Sequence, residues 1–149
     1  MRVIQLWTDG SSRGNPGNGG WGAILKWGDR EKELSGGFRK TTNNRMELLA
    51  VVEGLNAITR YDVPIEIWSD SKYVVDSVEK GWVFGWEKKN FIGKKNEDLW
   101  KRYLQVSRKF KDIKFNWVKG HCGYELNERC DVLATSTNYK DIDFIYESL

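Results

Sequence analysis

The chain opens on an almost unbroken apolar run at residues 3–7, where Val3, Ile4, Leu6 and Trp7 surround a single glutamine. A strand buried on both faces carries this pattern. Residues 10–20 are rich in glycine and asparagine and contain Pro16, and they read as a loop. A second strand is predicted over residues 22–27 and a third over 31–38, joined by a tight Gly28-Asp29 turn into a hairpin. Residues 39–42 form a polar connection. From Asn44 the period changes, and Leu48, Val51, Val52, Leu55 and Ile58 fall on one helical stripe. Pro64 ends the linker to a short strand at residues 65–69, and residues 71–79 read as a helix with Val74, Val75 and Val78 together. Gly81, Gly85 and Gly93 punctuate the segment that follows. Residues 98–109 form a helix turning Leu99, Trp100, Tyr103 and Leu104 inward, and Ile113, Phe115 and Trp117 alternate along a fifth strand. After a glycine-bearing loop, Cys130, Leu133, Ala134 and Thr137 share one face of a last helix. The predicted order is βββαβα, a helical insertion, then αβα: an α/β fold with a five-stranded mixed sheet and helices on both faces.

Composition narrows the class. At 149 residues, 40% hydrophobic and 30% charged, the chain suits one soluble domain over residues 1–149, with residues 138–149 a tail of no usable periodicity. No apolar run approaches the roughly 20 residues that span a bilayer. The N-terminus turns polar by Thr8-Asp9, too soon for a secretory segment, so a cytoplasmic location is the default expectation. Strand one begins almost at the first residue, so no additional N-terminal domain is expected ahead of it. Cys122 and Cys130 match no common zinc spacing and read as free thiols, Cys130 in the core.

The net charge of +3 says little, but its distribution says more. Between Lys80 and Arg102 stand seven basic residues against three acidic ones, interleaved with Trp82, Phe84, Trp86, Phe91 and Trp100. Such a segment suits a surface that tracks a nucleic-acid backbone. A solvated helix pair with inward tryptophans fits the same composition.

Four acids recur at comparable places. Asp9 ends strand one, Asp70 ends strand four, Glu47 lies in the first turn of the first helix, and Asp131 lies in the first turns of the last. Ligands of open α/β sheets gather at the carboxyl ends of central strands. Each pair of carboxylates about 4 Å apart costs on the order of 4 kcal/mol at an effective dielectric of 20, so such a cluster takes up protons or a divalent cation. Oxygen ligands without thiolates point to magnesium, with manganese as a substitute, and a two-ion site suits in-line phosphoryl displacement. Each acid also has a plainer reading. Asp9-Gly10 is a common turn pair, Asp70 can cap the helix after it, Asn44 to Glu47 fits a capping box, and Asp131 can be solvated.

The words around these acids decide between the two. Thr8-Asp9-Gly10-Ser11, then Gly14-Asn15-Pro16-Gly17 and Gly19-Gly20-Trp21-Gly22-Ala23, resemble the opening signature of the type 1 ribonuclease H family. Residues 41–48, Thr-Thr-Asn-Asn-Arg-Met-Glu-Leu, resemble its second block, and Ser69-Asp70-Ser71-Lys72-Tyr73-Val74 its third. Trp117-Val118-Lys119-Gly120-His121 with Asn127-Glu128-Arg129-Cys130-Asp131 resembles its fourth. The blocks stand in family order over nearly the whole chain.

The resemblance implies a ribonuclease H fold and an endonuclease that hydrolyses the RNA strand of RNA–DNA hybrids, leaving 5′-phosphate and 3′-hydroxyl ends. It makes Asp9, Glu47, Asp70 and Asp131 the catalytic carboxylates, holding two magnesium ions during catalysis, and His121 a loop histidine that aids proton transfer or product departure. Asn15, Asn43 and Asn44 resemble minor-groove contacts, their amides suiting a ribose 2′-hydroxyl because each donates and accepts. Lys40, Thr42 and Asn96 align with residues holding a DNA-strand phosphate. Residues 80–100 resemble a basic handle, with Trp82, Trp86, Lys88 and Lys89 on the nucleic acid. The expected partner is the hybrid, with no membrane, and the expected state is a monomer. Lys72 stands where many relatives have glutamine, and it is left outside the site. Two further classes stay open: a hybrid-binding module without chemistry, and a related nuclease or transposase domain.

Overall fold

The computed structural model describes residues 3–119 and 124–136. Three antiparallel strands come first: β1 (Ile4–Gly14), β2 (Gly17–Trp27) and β3 (Arg30–Thr41). Then follow α1 (Asn43–Asn56), β4 (Ile65–Ser69), α2 (Lys72–Glu79), α3 (Trp82–Lys88), α4 (Glu97–Ser107), β5 (Ile113–Trp117) and α5 (Glu125–Thr135). The sheet order is β3-β2-β1-β4-β5, with β4 and β5 parallel to β1, so the expected mixed α/β sheet forms.

Alternation along the strands sorts the two faces. Leu6, Leu25, Ile65 and Ile67 pack with α1 and α4 in the larger core, whereas Trp7 and Ile24, one residue out of phase, pack with Cys130 and Leu133 of α5. The predicted stripe is buried from Leu48 to Leu55 in α1 and at Ile58 just past its end, and so are Met46, Leu49 and Ala50, because the helix lies between the sheet and α4. Each such aliphatic side chain contributes roughly 1.5–3 kcal/mol. That anchorage holds the start of α1 rigidly against β1. No helix among the described residues is long and apolar enough to cross a membrane.

The main departure from expectation lies at residues 10–20. They are not a loop: β1 and β2 continue as one long hairpin, from Gly10 opposite Trp21 to Gly14 opposite Gly17. The ladder there is made by main chain, and glycines leave no side-chain alternation to read. Residues 39–41 likewise extend β3, and Thr42 rather than Asn44 caps α1, its Oγ1 accepting from the Arg45 amide at 3.3 Å.

Candidate active site

The parallel pairing of β1 with β4 runs in register from Ile4 opposite Ile65 to Trp7 opposite Trp68. Continued two residues, that register places Asp9 level with Asp70. Asp9 therefore sits inside β1, opposite Gly22 of β2, yet just past the end of the parallel ladder. Asp70 follows β4 directly. It does not cap α2: Ser71 does so, its Oγ accepting from the Val74 amide at 3.2 Å, and the Ser69 hydroxyl oxygen accepts from the Ser71 amide at 3.1 Å. The Asp70 carboxylate is left for other work.

Glu47 is the fifth residue of α1, two residues too deep for the capping box, and 5% exposed. It reaches the strand because Gly10 has no side chain. A Cβ at Gly10 would lie 2.3 Å from the Met46 carbonyl carbon and 2.4 Å from the Glu47 nitrogen. Gly22 does the same on the opposite face, where a Cβ would lie 2.6 Å from the Cys130 oxygen and 2.7 Å from the Leu133 Cβ. These two glycines let α1 close on β1, which carries Asp9, and α5 on its neighbour β2.

Carboxylate oxygens of Asp9, Glu47 and Asp70 thus lie within 4.8 Å of one another. Asp131, on the second turn of α5, is outside that trio but close enough to act on Asp9 by charge and by a shared hydrogen bond. Asp9 Oδ1 accepts from the Gly10 amide at 2.9 Å. Burial, then the charges of Asp70 and Asp131, push the Asp9 carboxyl up from 3.8 to about 8. Burial, then Asp9 and Asp70, hold Glu47 well above the usual carboxylate range. Glu47 Oε1 and Asp70 Oδ1 are shut away from solvent with no hydrogen-bond partner. Orphaned acceptor oxygens of this kind are costly unless a proton or a cation meets them. Cys130, which donates from Sγ to the Trp7 carbonyl at 3.2 Å, is a buried thiol whose ionisation burial opposes, so the donor set is all oxygen. The cluster can hold a divalent metal, and hard oxygen ligands favour magnesium or manganese over zinc.

Beside the acids, Asn15, Thr42, Asn43, Asn44 and Asn96 line a groove of about 490 Å³ together with Ser12 and Lys95. Asn15 Oδ1 accepts from the Asn43 amide and the Ser12 hydroxyl, both at 3.0 Å, which ties the hairpin tip to the first turn of α1. The Asn15 side-chain N–H groups stay available. Lys40 is exposed near the end of β3, outside the groove lining. Trp82 is exposed with Lys80 Nζ 5.3 Å from its ring centre, and Trp86 is half-buried with Lys94 Nζ at 5.2 Å. Lys88 and Lys89 are exposed at the end of α3. Lys72 lies over the Trp117 ring at 4.5 Å. His121 and Cys122 fall outside the described residues, as does Thr137.

Gly10, Gly22 and Ser71 support the site without having been singled out in the sequence. A glycine inside a strand signals close approach of another backbone, and that signal was present at Gly10 and Gly22.

The RNase H family model matches residues 1–138. The ribonuclease H of Erythrobacter litoralis is 47% identical over 140 residues, covering 91% of this chain and 95% of that protein. Among solved structures, LC9-RNase H1, a type 1 RNase H with the type 2 active-site motif, superposes with a TM-score of 0.80 at 26% identity, covering 91% of this chain and 71% of that one. LC11-RNase H1, solved in complex with an RNA/DNA hybrid, shares the fold with a TM-score of 0.68 at 22% identity, covering 90% and 95% of the two chains. With a family model spanning all but the tail and close identity over nearly its full length, the chain belongs to the ribonuclease H family, metal-dependent enzymes that hydrolyse the RNA strand of RNA–DNA hybrids.

Proposed function

We propose that Asp9, Glu47, Asp70 and Asp131 together hold two magnesium ions during catalysis, with manganese able to replace them, and that the asparagine-lined groove seats the hybrid. The observation that carries this reading is the pair of buried, partnerless oxygens on Glu47 and Asp70 beside Asp9. When bound, divalent cations supply a more acidic attacking water and stabilise charge on the leaving oxygen. The protein's own groups position the reactants. The Gly10 amide orients Asp9, and α1 and α5 hold Glu47 and Asp131 against the strand. Asn15, Asn43 and Asn44 offer amides to ribose 2′-hydroxyls. Lys40, Thr42 and Asn96 meet a phosphate of the DNA strand, and Trp82, Trp86, Lys88 and Lys89 carry the duplex onward along the basic handle. Phosphate contacts of this type add affinity and register without sequence preference. His121 assists proton transfer or product departure. The products carry 5′-phosphate and 3′-hydroxyl ends, and residues 1–149 act as one monomeric domain.

Labelled hybrid, RNA duplex, DNA duplex and single-stranded RNA, each offered with magnesium and with chelator, test the reading. Only the RNA strand of the hybrid should be cut, cutting should stop with chelator, and Asp70→Asn should nearly abolish it. Robust cleavage by Asp70→Asn in magnesium would remove Asp70 from the site, and cutting of the RNA duplex would overturn the substrate assignment.

A further inference from the structure

Arg45 lies two residues before Glu47 and is wholly buried, so it cannot touch a substrate. Its guanidinium is held by Asp98 through two bonds, Nη1 to Oδ1 at 2.9 Å and Nη2 to Oδ2 at 2.6 Å. Nη1 also donates to Asn96 Oδ1 at 3.2 Å. An arginine has donors and no acceptor, so the Asn96 atom that faces it must be the carbonyl oxygen. The Asn96 nitrogen is thereby turned the other way, where it donates to the Tyr73 hydroxyl at 3.1 Å; the Trp100 indole N–H donates to the same hydroxyl at 2.7 Å. An amide nitrogen carries two hydrogens, and Tyr73 takes one.

Two features set this arrangement apart from routine packing. Asn96 occupies the cap position of α4, where asparagine ordinarily caps with its own side chain, yet it makes no such bond. It also holds a left-handed φ of 64°. The side chain has been diverted from its own helix to Arg45 and Tyr73. Asn96 and Tyr73 both line a depression of about 220 Å³ that shares Asn44, Lys95 and Asn96 with the larger groove.

We infer that Arg45 is a positioning residue that fixes the facing of the Asn96 amide, so that an N–H and not a carbonyl oxygen is offered to a backbone phosphate in the groove. The inference rests on the proposed contact between Asn96 and the hybrid. A reversed amide would set an oxygen against an anionic oxygen, so the orientation decides between attraction and repulsion. Asp98 neutralises and locks Arg45, and it serves the same end at one remove.

The test is a mutant cycle read in KM and kcat for hybrid cleavage with magnesium, using Arg45→Lys, Asp98→Asn, Asn96→Gly and the doubles with Asn96→Gly. Glycine suits the left-handed backbone at residue 96. Loss of one charge-assisted bond predicts that Arg45→Lys raises KM about tenfold with kcat changed less than about twofold. Asp98→Asn should raise KM by less, and it serves as the test if Arg45→Lys does not fold. Neither substitution should raise KM further once Asn96 is glycine, because the coupled pair acts through one group. A purely structural role would lower thermal stability and leave the effects additive. If the rise in KM persists undiminished in the Asn96→Gly background, or if folded Arg45→Lys and Asp98→Asn both leave KM unchanged, the positioning role fails. If Asn96→Gly alone leaves KM unchanged, the substrate contact itself is wrong and the inference falls with it.

Discussion

Burial and two neighbouring carboxylates push Asp9 up to about 8, so in the absence of a cation the folded chain holds a proton there that the unfolded chain releases near 3.8. The folded state then binds the extra proton across that interval. Its contribution to stability is complete below about pH 4 and is lost as pH rises through about 8. At 1.36 kcal/mol for each pKa unit, the loss is on the order of a few kcal/mol by pH 8. Asp9→Asn keeps an oxygen for the Gly10 amide and removes the charge. In chelator at pH 8 the variant should melt higher than the parent by about 5 °C or more, and the gap should close towards pH 4. Thermal melts at the two pH values check this, and equal melting points at pH 8 would mean that burial does not govern Asp9. The acids themselves were legible because short sequence words frame each of them. Arg45 was not: a buried arginine inside an apolar stripe has no pattern of its own, and its partners Asn96 and Asp98 lie about fifty residues along the chain.

Elements meet at this site because two strand glycines admit them. Gly10→Ala would put a methyl 2.3 Å from the Met46 carbonyl carbon, and backbone cannot step aside as a flexible side chain can. Overpacking of this kind costs about 1–3 kcal/mol, here at the upper end. Because α1 must lift, Glu47 leaves the trio. Gly10→Ala should therefore lower stability by about 3 kcal/mol and also raise the magnesium concentration needed for half-maximal cleavage. Gly85→Ala is the contrast: a Cβ there meets nothing within 4 Å, and the position is inside α3, so it should stabilise by up to about 1 kcal/mol. Denaturant unfolding of both variants, with a magnesium titration for Gly10→Ala, reads the difference; a normal magnesium requirement would show that α1 need not touch β1. The helices were readable because each shows the core a stripe with a 3.6-residue period. The far half of the β1–β2 hairpin was not, because main chain pairs there between glycines and polar residues. That is also why Asp9 looked like the end of its strand when it lies inside it.

Across the whole molecule, charge is segregated in spite of a net +3: Asp9, Glu47 and Asp70 cluster where β1, α1 and the end of β4 meet, and exposed lysines stand around α3 and the turn beyond it. Lys94 stands over the Trp86 ring and Lys95 lines the groove, so both cations lie along the proposed path of the duplex. If Lys88, Lys89, Lys94 and Lys95 each neutralise one phosphate, the logarithm of hybrid affinity should fall against the logarithm of salt with a slope of about −3.6. A fourfold rise in salt would then weaken binding roughly a hundredfold. Binding measured in chelator, where no strand is cut, isolates this effect from turnover. Changing Lys88 and Lys89 together to alanine should make the slope shallower by about 2, because two phosphates keep their counterions. Removing a side chain that only packs would weaken binding equally at every salt concentration and leave the slope alone. A slope near zero in the parent chain would mean that these lysines are solvated and that the groove alone carries the hybrid.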